Sequence, residues 1–263
     1  MDDILQDSVT NRQDRLLESL FTEIGKADEI DNKSRLNAYM IMAGKYRREI
    51  ECHFVILRCA KEKMDSSGFN QVMYSVLAST ENEKFKLMAE FFIGGLKDVG
   101  NGRGIYRLAL EKNASPDVLV SLLESVTAFL PEEELISEVL SKIIQKIGGA
   151  ESLKFYAAAE AAMSKLKSRH LQIRFVMELF EVRRNCRDRY RLSALVYNVL
   201  GDRKWALELC ELSMRSTSCR DPVLMMEAAS HLHRLTGDGT MSMPPLEIYM
   251  KIMKTINNEE EEA

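Results

Sequence analysis

The densest run of chemically able side chains lies in Val182-Arg-Arg-Asn-Cys-Arg-Asp-Arg-Tyr-Arg-Leu192. It sets Arg183, Arg184, Arg187, Arg189 and Arg191 around Tyr190, with Arg174 upstream. A guanidinium is a planar fork of N–H donors that pairs bidentately with carboxylate or phosphate, so clustered arginines suit an acidic or phosphorylated protein segment. Between Met163 and Trp205 eleven basic residues face four acids (Glu178, Glu181, Asp188 and Asp202), a net +7 over 43 residues in a chain whose total is −4. Those seven residues are the candidate partner-binding set, Tyr190 being placed to cover a bound chain. The same arginines would also suit the backbone of RNA or single-stranded nucleic acid, which is the alternative partner. The plain reading is a solvated face paired with its own acids, and exposed pairs of that kind add little stability. The acid-rich stretch from Asp117 to Glu138 could also meet the arginines of a neighbouring copy.

Other chemistry is sparse. Of the four histidines (His53, His170, His231 and His233), only His231 and His233 are close in sequence. Alternate positions on a helix face different sides, so the pair does not make a metal site. Cys52 and Cys59 are seven apart and read as one core face, whereas Cys186 sits among arginines, where an exposed thiol would have a lowered pKa. No nucleophile elbow or paired-carboxylate motif occurs. The expectation is a non-enzymatic protein with no catalytic residue, cofactor or metal.

The glycines of Asp98-Val-Gly-Asn-Gly-Arg-Gly-Ile105 raise the question of a phosphate loop. Such a loop needs a strand before it. Here the preceding Glu81–Val99 stretch is helical by period, so the glycines are expected to form a turn, with Gly100 or Gly102 left-handed at a helix end.

Positioning these residues falls to helices. Apolar residues recur at three and four, Pro (5) and Gly (13) are few, and alternating β-branched runs are nearly absent. No run approaches eighteen apolar residues, so no membrane span is expected. The acidic start Met1-Asp-Asp-Ile-Leu-Gln-Asp lacks the basic and then apolar character of a signal peptide, and five cysteines form no disulfide framework. A cytoplasmic address, or a nuclear one, is the expectation.

From Ser34 to Met64 the residues Leu36, Tyr39, Ala43, Tyr46, Ile50, His53, Leu57, Ala60 and Met64 fall on one seam with only Gly44 inside. This predicts one long helix over 34–64, through which a homo-oligomer could form as a coiled coil. From residue 81 helix starts are expected near Glu81, Ser115-Pro-Asp, Glu151, Asp188 and Asp221-Pro, with breaks between them at 100–104, 130–135, 167–170, 201–204 and 237–245. A helix–turn–helix unit recurring every thirty-odd residues is the signature of an α-solenoid. The sequence therefore predicts an all-α, solenoid-like helical-hairpin array with a long N-terminal helix region. Its divisions are 1–80, 81–257 and a disordered acidic tail, 258–263.

Residues 194–215, "ALVYNVLGDRKWALELCELSMR", resemble the middle of a tetratricopeptide repeat. Ala194, Tyr197, Gly201-Asp202, Ala206 and Leu207 fall where that family sets a small residue, an aromatic, the inter-helix turn and a packing alanine. The resemblance spans one unit and implies a scaffold that binds protein segments on a concave face. A fainter similarity to 14-3-3 proteins, carried by 45–51, Arg189-Tyr190 and the tail, implies phosphopeptide binding. The protein is thus expected to be an adaptor or scaffold, with a self-assembling structural subunit as a further alternative.

Overall fold

The computed structural model describes residues 2–113, 115–146, 153–182 and 186–214, together with Glu227, Ser230, His231, Arg234 and Leu235. Among these every regular element is helical, and the fold is all-α. The chain packs as two compact units that divide between Asn113 and Ala114. The change of organisation expected at 80/81 falls inside the first unit, just after the C-cap of a helix at Thr80. The tail 258–263, the starts near Glu151 and Asp221, and the break at 237–245 lie outside the described residues.

The first unit is three helical hairpins: α1 (Asp2–Asp28) with α2 (Asn32–Lys45), α3 (Ile50–Lys63) with α4 (Ser66–Ser79), and α5 (Phe85–Glu90) with α6 (Val99–Lys112). Helix α1 also packs on α3, and α2 on α4, so the hairpins form two layers. Each second helix opens on an aspartate whose carboxylate accepts orphan N–H groups of the first turn. Asp31 takes Lys33 N at 3.0 Å and Ser34 N at 3.1 Å, Asp65 takes Gly68 N at 2.8 Å, and Asp98 takes Asn101 N at 3.1 Å.

The single helix expected over 34–64 is instead α2 and α3, with a break at Tyr46–Glu49. The seam is apolar throughout but is carried by two helices. Tyr39, Ala43, Tyr46, Ile50, His53, Leu57 and Ala60 are all buried, in two helices that share one core. The stop is tertiary: the Tyr46 hydroxyl donates to Ser19 Oγ on α1 at 3.2 Å, and Lys84 donates to the Arg48 carbonyl in the turn. The seam on which a coiled coil is expected is thus buried inside the unit.

The glycines after Asp98 also differ from expectation. Gly100, Gly102 and Gly104 lie in the first turns of α6, and the left-handed residue is Lys97 (φ 56°), which closes the π-helical segment Phe91–Gly95 after α5. Gly102 is there for closeness: an added Cβ would lie 2.4 Å from Ile93 Cγ1 and 3.4 Å from the Ala89 carbonyl oxygen. The stretch is preceded by helix, and its helix terminus is already capped by Asp98.

The second unit follows the same plan with α7 (Pro116–Phe129), α8 (Glu133–Lys146), α9 (Leu153–Met163), α10 (Arg169–Val182), α11 (Cys186–Leu195) and α12 (Arg203–Met214). Helix α7 packs on α8 and α9, α8 on α10, α9 on α11, and α11 on α12. Pro116 stands in the first turn of α7, and the breaks at 130–135, 167–170 and 201–204 fall between helices as expected. Gly201 takes φ 64° after the π-helical segment Val196–Leu200, a conformation that costs glycine nothing. Asp202 then caps α12 by accepting Trp205 N at 3.0 Å.

Candidate partner-binding site

The arginine-rich segment joins α10 to α11. Arg183 and Arg184 lie outside the described residues, as does the side chain of Arg187. The other four candidates have distinct surroundings. Arg174 is exposed on α10, with Nε 3.3 Å from Glu178 Oε1 one turn on and its guanidinium 4.7 Å from the Phe175 ring centroid. Arg189 is half-buried on α11.

Tyr190 and Arg191 turn inward to different neighbours. The Tyr190 ring is half-buried and meets His231 edge-on, centroids 5.7 Å apart, and burial raises its pKa above the usual phenol value. Arg191 lies over the Tyr156 ring at 5.7 Å, and the Tyr156 hydroxyl donates to Asp188 Oδ1 at 3.0 Å. A helix start is expected near Asp188. The helix begins two residues earlier at Cys186, and Asp188 sits in its first turn, almost wholly buried. Two of the four acids of this segment are therefore occupied in structural roles, Asp188 with Tyr156 and Asp202 as a cap.

The side chains that face water form a different group, one the arginine count alone does not reveal. On α10, His170, Ile173, Arg174, Met177 and Glu181 are exposed at helical three-four spacing, with Val182 beside them, while Phe175, Val176 and Leu179 are buried. Lys165, Lys167 and Arg169, at the turn leading into α10, are also exposed and make no ion pair among the described residues. That turn is held by Glu133 of α8, whose carboxylate accepts Lys167 N at 2.8 Å and Ser168 N at 3.3 Å. A rigid turn thus presents three cations at one end of an outward apolar stripe. Amphipathic spacing could have pointed to Ile173 and Met177, but in a sequence an apolar pair on a helix reads first as core.

A buried polar chain links α11 to α12. Ser193 Oγ donates to the Ala206 carbonyl at 2.6 Å, and His231 Nε2 lies 3.2 Å from the same hydroxyl. With the serine proton given to Ala206, the hydroxyl accepts from His231 Nε2–H, so the histidine is not a base for that serine. Arg234 stands 3.5 Å from Nδ1, and burial with this cation lowers the His231 pKa to about 4. A histidine depressed from 6.5 stays neutral in the folded chain and protonates first in the unfolded one. Its stability contribution is complete above pH 6.5 and falls as pH drops toward 4, a loss of about 2 kcal/mol by pH 5. Urea unfolding at pH 7 and pH 5 should show this loss in the wild type and a smaller one in His231→Gln.

Among the described residues no helix is long and apolar enough to cross a membrane. Compared with protein families, curated proteins and solved structures, the chain matches none.

Proposed function

We propose that the protein is a non-enzymatic scaffold or adaptor that holds an acidic or phosphorylated segment of another protein against the second unit. The observation that carries this reading is the outward side of α10, where exposed Ile173 and Met177 run alongside Arg174 toward Lys165, Lys167 and Arg169, which make no ion pair among the described residues. Apolar burial supplies affinity, and cations at one end fix the direction of an acidic chain. A segment with its own apolar face and a phosphate or carboxylates at one end satisfies both. The helical-hairpin plan, similar at 194–215 to a tetratricopeptide unit, suits peptide binding. We place such an adaptor in the cytoplasm.

The test is capture from cell lysate by the wild type and by two charge-altered variants, with nuclease or phosphatase added in parallel. One variant carries Ile173→Glu with Met177→Glu, the other Lys165→Glu, Lys167→Glu and Arg169→Glu. A protein partner retained by the wild type after nuclease and lost by both folded variants is expected, and phosphatase sensitivity would identify a phosphorylated segment. Identical captures by all three proteins would remove this surface from the function, and a catch that vanishes with nuclease would transfer it to RNA.

A further inference from the structure

The segment 244–263, PPLEIYMKIMKTINNEEEEA, lies outside the described residues, and its sequence carries the two features that the outward side of α10 requires of a ligand. Leu246, Tyr249, Met250, Met253 and Ile256 recur at three and four, while Glu247, Lys251, Lys254 and Thr255 fall on the other side of that period. Three residues past Ile256 begins Glu259 to Glu262, the longest acidic run in the chain. The α10 surface is the complement in reverse. Exposed Ile173 and Met177 are four residues apart, as are Tyr249 and Met253. From Ile173 the exposed cations Arg169, Lys167 and Lys165 lie four, six and eight residues back, and from Met253 the glutamates lie six to nine residues on. Run antiparallel, apolar residues meet apolar residues, and four carboxylates meet three cations that make no ion pair among the described residues.

The segment is also tethered within reach. Leu235 is buried, and its carbonyl accepts from Arg203 Nε at the start of α12. Helix α12 packs on α11 and α11 on α10, two steps of roughly 10 Å each. The eleven residues from Leu235 to Leu246 span up to about 40 Å, which leaves length to pass round to the outward side of α10. We infer that residues 246–262 occupy the α10 surface of their own chain and compete there with the partner segment, an autoinhibitory contact that rests on the binding role proposed above for α10. A short tether holds the segment at an effective concentration on the order of 1 mM, so an intrinsic dissociation constant of about 100 µM closes nine sites in ten and weakens partner binding about tenfold.

The test is photo-crosslinking in the purified full chain at about 1 µM, far below the effective concentration of the tethered segment, with benzoylphenylalanine in place of Ile173. Mass spectrometry should find attachment within 246–257, in a species of single-chain mass. Glu259→Lys, Glu260→Lys, Glu261→Lys and Glu262→Lys together should cut its yield about tenfold. Adding Lys165→Glu, Lys167→Glu and Arg169→Glu to those four should restore it, which a merely misfolded variant does not do. No attachment to this segment, attachment only between two chains, or a charge-reversed protein that fails to regain the crosslink would overturn the inference. Partner capture from lysate is read separately and should rise about tenfold when the four glutamates alone are reversed. Capture without the crosslink sinks the self-contact and leaves the partner reading intact. A crosslink with no partner captured, even with the glutamates reversed, sinks the partner reading and the competition that rests on it.

Discussion

Gly102→Ala is expected to lower the unfolding free energy by about 2 kcal/mol, whereas Gly104→Ala, two residues along the same helix, raises it by up to about 1 kcal/mol. The opposite signs come from what each new methyl meets. At Gly102 the Cβ would sit 2.4 Å from Ile93 Cγ1 and 3.0 Å from Ile93 Cδ1, with the Ala89 carbonyl oxygen at 3.4 Å. Gly102 and its neighbour Ile105 are buried where α6 packs on α5 and the π-helical segment after it, so Ile93 can yield only by disturbing that contact. At Gly104 nothing lies within 4 Å and the backbone is already helical, so the methyl gains helix propensity alone. Thermal or urea unfolding of the two variants measures both. Equal effects of either sign would mean that α6 does not approach Ile93 closely.

Arg35→Ala should destabilise the first unit by roughly 3 kcal/mol, because it strips charge-assisted hydrogen bonds from several carbonyls at once. The guanidinium donates to Asp28 O at 2.9 Å and to Ala27 O, Ile30 O and Lys63 O at 3.3 Å each, and to Asn32 Oδ1 at 3.2 Å. Those of Ala27, Asp28 and Lys63 belong to the ends of α1 and α3, where helix geometry leaves them without intrahelical donors, and that of Ile30 to the turn before α2. One side chain thus closes two helix ends onto the start of α2. The Asp28 carboxylate, 3.8 Å from Arg35 Nε, also accepts from the Tyr39 hydroxyl at 3.2 Å. Arg35→Lys should recover little, since a single ammonium cannot span carbonyls spread around a planar fork. Chemical denaturation of the three proteins decides it, and full rescue by lysine would reduce the role to charge alone.

The sequence and the structure agree at several local signals. Pro116 marks the first turn of α7, and Gly201-Asp202 makes the turn between α11 and α12. They part where the cause is tertiary. The break at Tyr46–Glu49 contains neither glycine nor proline, and the apolar period runs straight through it because α2 and α3 bury the same side of one core. The aspartates that open α2, α4 and α6, at 31, 65 and 98, are spaced 34 and 33 residues apart, like the breaks farther on. In the sequence this rhythm is overlaid by the apolar seam that runs through α2 and α3.

The basic segment is legible as charge and illegible as geometry. Nothing local distinguishes Arg191, turned in over Tyr156, from Arg174, which faces water, and the exposure of Ile173 and Met177 depends on which helices cover α10. Asp188 looks like a cap by type and is a buried acceptor by position.

The central claim is that the outward side of α10 receives an acidic or phosphorylated protein segment. Its most direct test is a photo-crosslinking residue in place of Met177, activated in cells, with the attached peptides identified by mass spectrometry. The account predicts one recurring partner segment, apolar on one side and acidic or phosphorylated at one end, and its loss when Lys165, Lys167 and Arg169 are changed to Glu. Crosslinks that scatter over abundant proteins, or that fall on RNA, would contradict it.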